Sequence, residues 1–477
     1  MPDVGSLRST SPATGESMGE WATHTVAQVD QALEAAHAAF LSWRTSGWPR
    51  RAALLEAVAD RLTARREDLA ALMTDEMGKP VAEALAEVDK CAWTARFYAR
   101  EAERFLADRV VETTAAQSWV TYEPMGVVLA VMPWNFPFWQ VVRFAAPALA
   151  AGNAALLKHA PTVTGCALAA EEIFRHAART AGAPEALFTT LLVDEAEVSE
   201  VTARIIGSPI VAAVTLTGSE RAGAAVAAAA AGAIKKSVLE LGGSDPFVVL
   251  DDADVTLAAR MAVRSRFLNS GQSCLAAKRF IVAEHVAEQF TRLFADEVAA
   301  LRVGDPRDPA TQIGPLARDE QVISLQRQVD ESLAAGATLV TGGRPIAGVG
   351  AFYEPTVLSD VTPDMPVFRE ETFGPVAAVI RAVDDDEAAR LADDSPFGLG
   401  ASVWSADVER ALVVGRRITS GALFVNAVVA SDARLPFGGT RRSGYGRELS
   451  EEGIREFTNV RTIYVGAEAA APEEPVE

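Results

Sequence analysis

Val127-Val-Leu-Ala-Val-Met132, Ala154-Ala-Leu-Leu-Lys158, Leu187-Phe-Thr-Thr-Leu-Leu-Val193 and Ile210-Val-Ala-Ala-Val-Thr-Leu216 are four short apolar runs, and each reads as a buried strand. The intervening stretches 139–150, 164–180 and 195–204 read as helices, and an Ala-rich helix opens at 220. Strands that alternate with helices of this length predict βαβ units and a parallel sheet. Right-handed crossovers then place helices on both of its faces. The expected fold class is α/β.

Upstream, residues 27–107 read as successive amphipathic helices, with Leu54, Val58, Leu62 and Leu69 near helical spacing and Gly78-Lys-Pro80 as punctuation. Downstream of Ser237-Val-Leu-Glu240 a second α/β block begins with Pro246-Phe-Val-Val-Leu250 and Arg279-Phe-Ile-Val282, and continues to about residue 458. Segments 109–123 and 459–465 read as strands that belong to neither block. The tail from Gly466 carries four Glu and two Pro among alanines, too little apolar surface to fold, and is expected to be disordered.

A length of 477 residues suits two or three domains. Apolar content of 49% and charged content of 23% are ordinary for a globular enzyme. The net charge of −20 argues against nucleic acid as a partner. No window approaches the roughly 20 apolar residues of a membrane helix. The start, Met1-Pro-Asp-Val-Gly-Ser, lacks the basic and apolar regions of a secretion signal. Cys91, Cys166 and Cys274 form no CxxC pair, and the five histidines never join cysteine at zinc spacing, so no metal is expected. A soluble cytoplasmic enzyme is the expectation.

The chemistry concentrates in three segments. Asn269-Ser-Gly-Gln-Ser-Cys274 offers a thiol on a polar, glycine-containing turn; elsewhere a lone cysteine is an inert small hydrophobe, the reading that fits Cys91 and Cys166 in their Ala-rich helices. Glu240 ends an apolar strand, where an acid is either a salt-bridged structural residue or a general base with raised pKa. Asn135, in Met132-Pro-Trp-Asn-Phe-Pro137, stands at a strand-to-helix junction, where polar side chains also serve as caps.

Together these segments resemble the aldehyde dehydrogenase superfamily, and the wider strings are most similar to the bacterial NAD(P)-dependent succinate-semialdehyde dehydrogenase group. The resemblance spans nearly the whole chain, to Pro436-Phe-Gly-Gly-Thr-Arg-Arg-Ser-Gly-Tyr-Gly-Arg447. It implies a Rossmann-like NAD(P)-binding domain from 1–108 and 124–240, a catalytic domain at 241–458, and oligomerisation strands at 109–123 and 459–465, with 466–477 as the tail. It implies Cys274 as nucleophile, Glu240 as the base that releases a free acid, and Asn135 with the Cys274 N–H as the oxyanion hole. CoA-acylating relatives lack such a base.

For the cofactor, NAD or NADP, the resemblance maps Pro133, Trp134, Thr217, Gly218 and Ser219 to the nucleotide site. It assigns Glu371 and Phe373 to the nicotinamide ribose and ring, and Lys158 to the adenosine ribose. Three residues after this lysine, NAD-specific relatives often carry a glutamate; here Pro161 removes that obstacle to a 2′-phosphate, and the coenzyme stays open. Arg143, otherwise a candidate for snorkelling or structural pairing, resembles the carboxylate-binding arginine of the succinate-semialdehyde group. A second arginine used by some such enzymes is replaced by Leu268, with Arg266 nearby. Ser431 is expected to assist at the carboxylate and Phe437 to line the tunnel. The implied partners are a small aldehyde bearing a carboxylate and further copies of the chain, as homodimer or homotetramer. The alternatives are another semialdehyde, a neutral aldehyde, a CoA-acylating reaction, or a non-enzymatic binding or structural protein reusing the fold.

Overall fold

The computed structural model describes residues 5–466; the expected tail lies, apart from Gly466, outside the described residues. Four helices occupy the N-terminal region: Val26–Trp43, Trp48–Ala64, Arg66–Met77 and Val81–Phe105. Each buries a stripe at three- and four-residue spacing, as Leu54, Leu55, Val58, Ala59 and Leu62 do in the second. A reciprocal Thr25–Gln28 capping box starts the first, and Gly78, at φ 78°, ends the third. An antiparallel hairpin, Ser6–Thr10 with Ser17–Ala22, precedes them. Its strands are mostly polar and exposed, so hydrophobic periodicity gave no sign of it.

The first sheet has six strands in the spatial order Gly444–Tyr445, Lys236–Glu240, Val211–Thr217, Val127–Met132, Ala154–His159, Phe188–Thr190. All pair in parallel except Gly444–Tyr445, which runs antiparallel to Lys236–Glu240. The helices Trp139–Ala150 and Thr164–Thr180 fall where the apolar pattern placed them. The run 187–193 forms only a three-residue edge strand preceded by a 3-10 turn at Glu185–Leu187, because it has a neighbour on one side alone. The next helix is Val198–Gly207 rather than 195–204.

Chain order reverses between Val127–Met132 and Val211–Thr217. At such a switch point the carboxyl ends of two strands diverge and leave a crevice. The residues that follow these two strands are Pro133-Trp-Asn and Gly218-Ser219, so the fold brings two of the sequence motifs to one place.

The second sheet has seven strands in the order Thr338–Thr341, Thr356–Ser359, Val376–Ala382, Ala277–Ala283, Asp245–Val249, Gly400–Trp404, Ala422–Val425, parallel except at the first pair. Residues from about 433 to 457 were counted with this block on sequence, and the structure corrects that. Gly444–Tyr445 extends the first sheet, and Ala433, Phe437, Leu449, Ile454 and Phe457 join the first sheet's core. Gly444 makes the pairing possible, since a Cβ there would lie 2.0 Å from the Leu239 carbonyl oxygen. A third, antiparallel sheet joins Arg109–Val110, Gln117–Pro124 and Thr458–Val465, in register from Thr458–Pro124 to Val465–Gln117.

No helix among the described residues is long and apolar enough to cross a membrane. No group of three or more His, Cys, Asp or Glu among them is placed to hold a metal ion.

Candidate active site

Cys274 stands at the junction of two cavities. One, of about 360 Å³, is walled by Phe136, Trp139, Leu275, Val429 and Phe437, and carries Lys90, Arg143 and Ser431. The other, of about 200 Å³, is lined by Pro133, Trp134, Asn135, Thr217, Gly218, Ser219, Glu371 and Phe373. Cys274 and Gln140 line both. The residues expected at the substrate and most of those expected at the cofactor thus sort onto opposite sides of the thiol.

The turn that carries the thiol is held from several directions. Asn269, Ser270 and Gly271 all adopt left-handed backbone, at φ 54°, 53° and 75°. At Gly271 a Cβ would sit 2.3 Å from the Gly374 carbonyl oxygen, so only glycine lets the turn rest against the segment that follows Phe373. Arg266 fixes that segment from behind, donating to Val376 O at 2.6 Å, Thr372 O at 2.8 Å and Gly374 O. It is therefore a structural arginine and no substitute for the one missing at Leu268.

Asn269 Nδ2 donates to Asn135 O at 2.8 Å, and Asn135 Nδ2 donates to Gln272 O at 3.1 Å. The Asn135 amide thereby lies beside the backbone that leads to Cys274. Its Oδ1 is buried without a hydrogen-bond partner among the described residues. Glu83 accepts the Asn269 N–H at 2.7 Å. Lys278, fully buried, donates to Ser273 O at 2.9 Å and Cys274 O at 2.7 Å, and its ammonium lies 3.6 Å from Glu371. One lysine thus ties the turn that carries Cys274 to the Glu371 carboxylate in the wall of the 200 Å³ cavity. Apolar surroundings push the Cys274 thiol up to about 12, against the pull of the Lys278 and Arg143 charges.

Glu240 lines neither cavity. It is 2% exposed, and both carboxylate oxygens lack a hydrogen-bond partner among the described residues. Desolvation first, and the neighbouring Glu448 carboxylate second, raise its pKa well above the ordinary range, while Arg143 and Arg447 oppose them. Room for the side chain comes from Gly438, where a Cβ would lie 2.8 Å from Glu240 Oε1 and 2.7 Å from Gly446 O. Gly438→Ala is therefore expected to lose about 1–3 kcal/mol of stability through overpacking and to slow turnover by displacing the carboxylate. Denaturant midpoints and steady-state rates would check both effects.

Arg143 is 2% exposed and forms a buried ion pair with Glu448, itself 3% exposed. Its Nη2 donates to Thr217 Oγ1 at 3.1 Å, and its guanidinium lies over the Phe437 ring at 4.7 Å. It borders the 360 Å³ cavity, but its charge already has a partner. Lys90 was not singled out in the sequence. Its Nζ donates to Ser431 Oγ at 2.7 Å and lies 4.0 Å above the Trp139 ring.

At the 200 Å³ cavity, Ser219 caps the helix Glu220–Gly232, accepting the Ala222 N–H at 3.3 Å, so this helix N-terminus opens beside Thr217 and Gly218. Free N–H groups in this position suit a pyrophosphate. Phe373 meets Trp134 edge-on at 5.8 Å. Lys158 is the last residue but one of the strand Ala154–His159, and Pro161 opens the following 3-10 turn; neither lines the 200 Å³ cavity.

Comparison with known proteins agrees with this geometry. Residues 2–463 match the aldehyde dehydrogenase family. The chain belongs to that family. It is 50% identical over 454 residues to a Synechocystis protein named as a probable NADP(+) succinate-semialdehyde dehydrogenase, covering 95% of this chain and 98% of that protein. A Mycobacterium avium succinate-semialdehyde dehydrogenase [NADP(+)] is 48% identical over 460 residues, 96% of each chain. The crystal structure of the Streptococcus pyogenes succinic semialdehyde dehydrogenase with NADP+ superposes with a TM-score of 0.92 at 38% identity, covering 97% of this chain and all of that one. In this aldehyde dehydrogenase, then, Cys274 stands between the crevice at the switch point and the aromatic-walled cavity.

Four features of the site escaped the sequence reading: Glu448, Lys278, Glu83 and Lys90. Glu83, Glu87 and Lys90 follow one another at helical spacing of four and three on the helix Val81–Phe105. That spacing is a legible sign of one face, yet it resembles any solvated helix surface until a neighbour covers it. Glu87 accepts the Phe138 and Trp139 N–H groups at 3.0 and 2.9 Å, which caps the next helix and pins the segment after Asn135.

Proposed function

We propose that this enzyme oxidises succinate semialdehyde to succinate with NADP+ and releases the free acid. The observation that carries the reading is the placement of Cys274 between a nucleotide-type crevice and an apolar cavity that also carries positive charge and a hydroxyl. An aliphatic aldehyde with a carboxylate matches that second cavity, with Phe437 along the methylenes and the positively charged, hydroxyl-bearing part of the wall toward the acid. Pro161, in place of an acid, leaves space for a 2′-phosphate near Lys158, in keeping with the NADP(+) names of the relatives.

The cofactor fits the crevice by its donor set: a helix N-terminus behind Ser219, the Glu371 carboxylate, and the Trp134 and Phe373 rings. When bound it supplies the hydride acceptor. The chain supplies the rest. Cys274 Sγ, as thiolate, adds to the aldehyde carbon, and Asn135 Nδ2 with the Cys274 N–H donates to the oxygen that becomes negative. Loss of hydride from that carbon leaves an acyl group on Sγ. Glu240 takes a proton from water, whose oxygen displaces the sulfur and frees the acid. The resting thiol is protonated; its proton passes to solvent water before the attack, and the positive charges of Lys278 and Arg143 favour the thiolate that remains. The enzyme is further proposed to be a soluble cytoplasmic homodimer or homotetramer, joined through the sheet that includes 109–123 and 459–465. Val110, Val460 and Tyr464 are exposed there.

Initial rates with succinate semialdehyde and propanal, each with NAD+ and NADP+ and without CoA, test the proposal. Preference for the semialdehyde and for NADP+ is expected. Equal turnover of propanal would remove the substrate assignment and keep the reaction.

A further inference from the structure

Four cations border the aldehyde-side cavity, Lys79, Lys90, Arg143 and the exposed Arg264, and two of them are already neutralised. Lys79 pairs with Glu87, and Arg143 with Glu448, in buried ion pairs. Lys90 has no carboxylate within ion-pair distance among the described residues. Its ammonium is half-buried, held between the Ser431 hydroxyl at 2.7 Å and the Trp139 ring face at 4.0 Å. Three N–H donors serve one hydroxyl, which leaves donors for a ligand. A carboxylate that enters this cavity meets an uncompensated charge at Lys90, whereas at Arg143 it must share a guanidinium with Glu448.

We propose that Lys90, acting with Ser431, is the residue that selects a carboxylate-bearing aldehyde, and that Arg143 mainly holds Glu448 beside the base Glu240. This rests on the carboxylated-substrate reading above and names the group that recognises the acid. On this assignment the recognising cation is the half-buried Lys90 on the helix Val81–Phe105, rather than the exposed Arg264 on the helix Val255–Phe267 that precedes Leu268.

The groups around the ammonium bear on its protonation. Burial first, and then the Arg143 charge across the cavity, bring Lys90 down to about 8, against the opposing pull of Cys91 and Glu87 on its own helix and of Asp432 beside Ser431. Selectivity for the acid is therefore expected to be full below pH 8 and to fall as pH rises through it.

The experiment compares kcat/KM for succinate semialdehyde with that for its methyl ester, a neutral molecule of nearly the same shape. The ratio cancels effects on the thiol and on hydride transfer. In Lys90→Met the acid-to-ester ratio is expected to fall about 30-fold or more, and Lys90→Arg is expected to restore most of it. In Arg143→Leu both substrates are expected to slow together, with the ratio within about threefold of the parent. A ratio unchanged in Lys90→Met, or a collapse of the ratio in Arg143→Leu alone, would overturn the proposal. If Lys90→Met fails to fold, as judged by its melting curve, Lys90→Gln and Ser431→Ala carry the same test with succinate as a competitive inhibitor. Weaker inhibition in both supports it, and unchanged inhibition contradicts it. Absence of any acid-over-ester preference in the parent enzyme is a separate outcome: it would sink the carboxylated-substrate reading, and this assignment with it.

Discussion

Cys274→Ala is expected to abolish aldehyde-dependent formation of reduced cofactor, with a loss of at least about 10⁴-fold. Direct removal of hydride from an aldehyde would leave a poor acylium-like species, and the thiol avoids it by making the carbon tetrahedral first. No other nucleophile replaces it. Cys91 and Cys166 are fully buried in helices, and burial pushes both thiols well above their ordinary pKa. The substitution is small and leaves the turn's supports in place, since Lys278 holds the backbone carbonyls of Ser273 and Cys274 rather than the sulfur. The variant should therefore melt near the parent temperature and still bind NADP+. Normal oxidation by a folded Cys274→Ala protein would refute the covalent route.

The second large effect is expected from Glu240→Gln, and it should separate the two halves of the reaction. Without the base, acyl transfer to Cys274 proceeds and hydrolysis stalls, so rapid mixing should give one equivalent of reduced cofactor followed by a slow steady state. General bases of this kind contribute about 10²–10⁴ in rate, or roughly 3–5 kcal/mol of barrier. The pH profile adds an independent readout. Desolvation and the Glu448 charge raise the Glu240 pKa, so the ionised, working form is lost as pH falls through that raised value. Hydrolysis in the parent enzyme should rise with pH, and Glu240→Gln should lose that dependence. A variant with neither burst nor slowed steady state would mean that another group activates the water.

Much of this was legible in the residues. The strands from 127 to 216 announced themselves because each is buried on both faces and reads as a continuous apolar run. The helices 139–150 and 164–180 kept their bounds because apolar spacing sets both ends. The three-residue strand at Phe188–Thr190 and the polar N-terminal hairpin were less clear, since an edge strand has fewer neighbours and a weaker pattern. Cys274, Asn135 and the glycine turn at 217–219 carried distinctive local strings, and the fold gathers them around the two cavities. What stayed hidden was pairing across long separations. Arg143 and Glu448 are 305 residues apart in the chain and contact one another behind the base. Lys90 and Ser431 are 341 apart. A string of residues shows that an arginine lies in an apolar helix, but not which acid neutralises it. That one contact changes the role expected of Arg143.

The central claim is a covalent acyl group on Cys274 that Glu240 removes. Intact-protein and peptide mass spectrometry of Glu240→Gln, quenched in acid milliseconds after mixing with succinate semialdehyde and NADP+, tests it most directly. The account predicts one succinyl group on the peptide that contains Cys274, formed in step with the burst of reduced cofactor. Reduced cofactor without any acyl adduct on that peptide would contradict it.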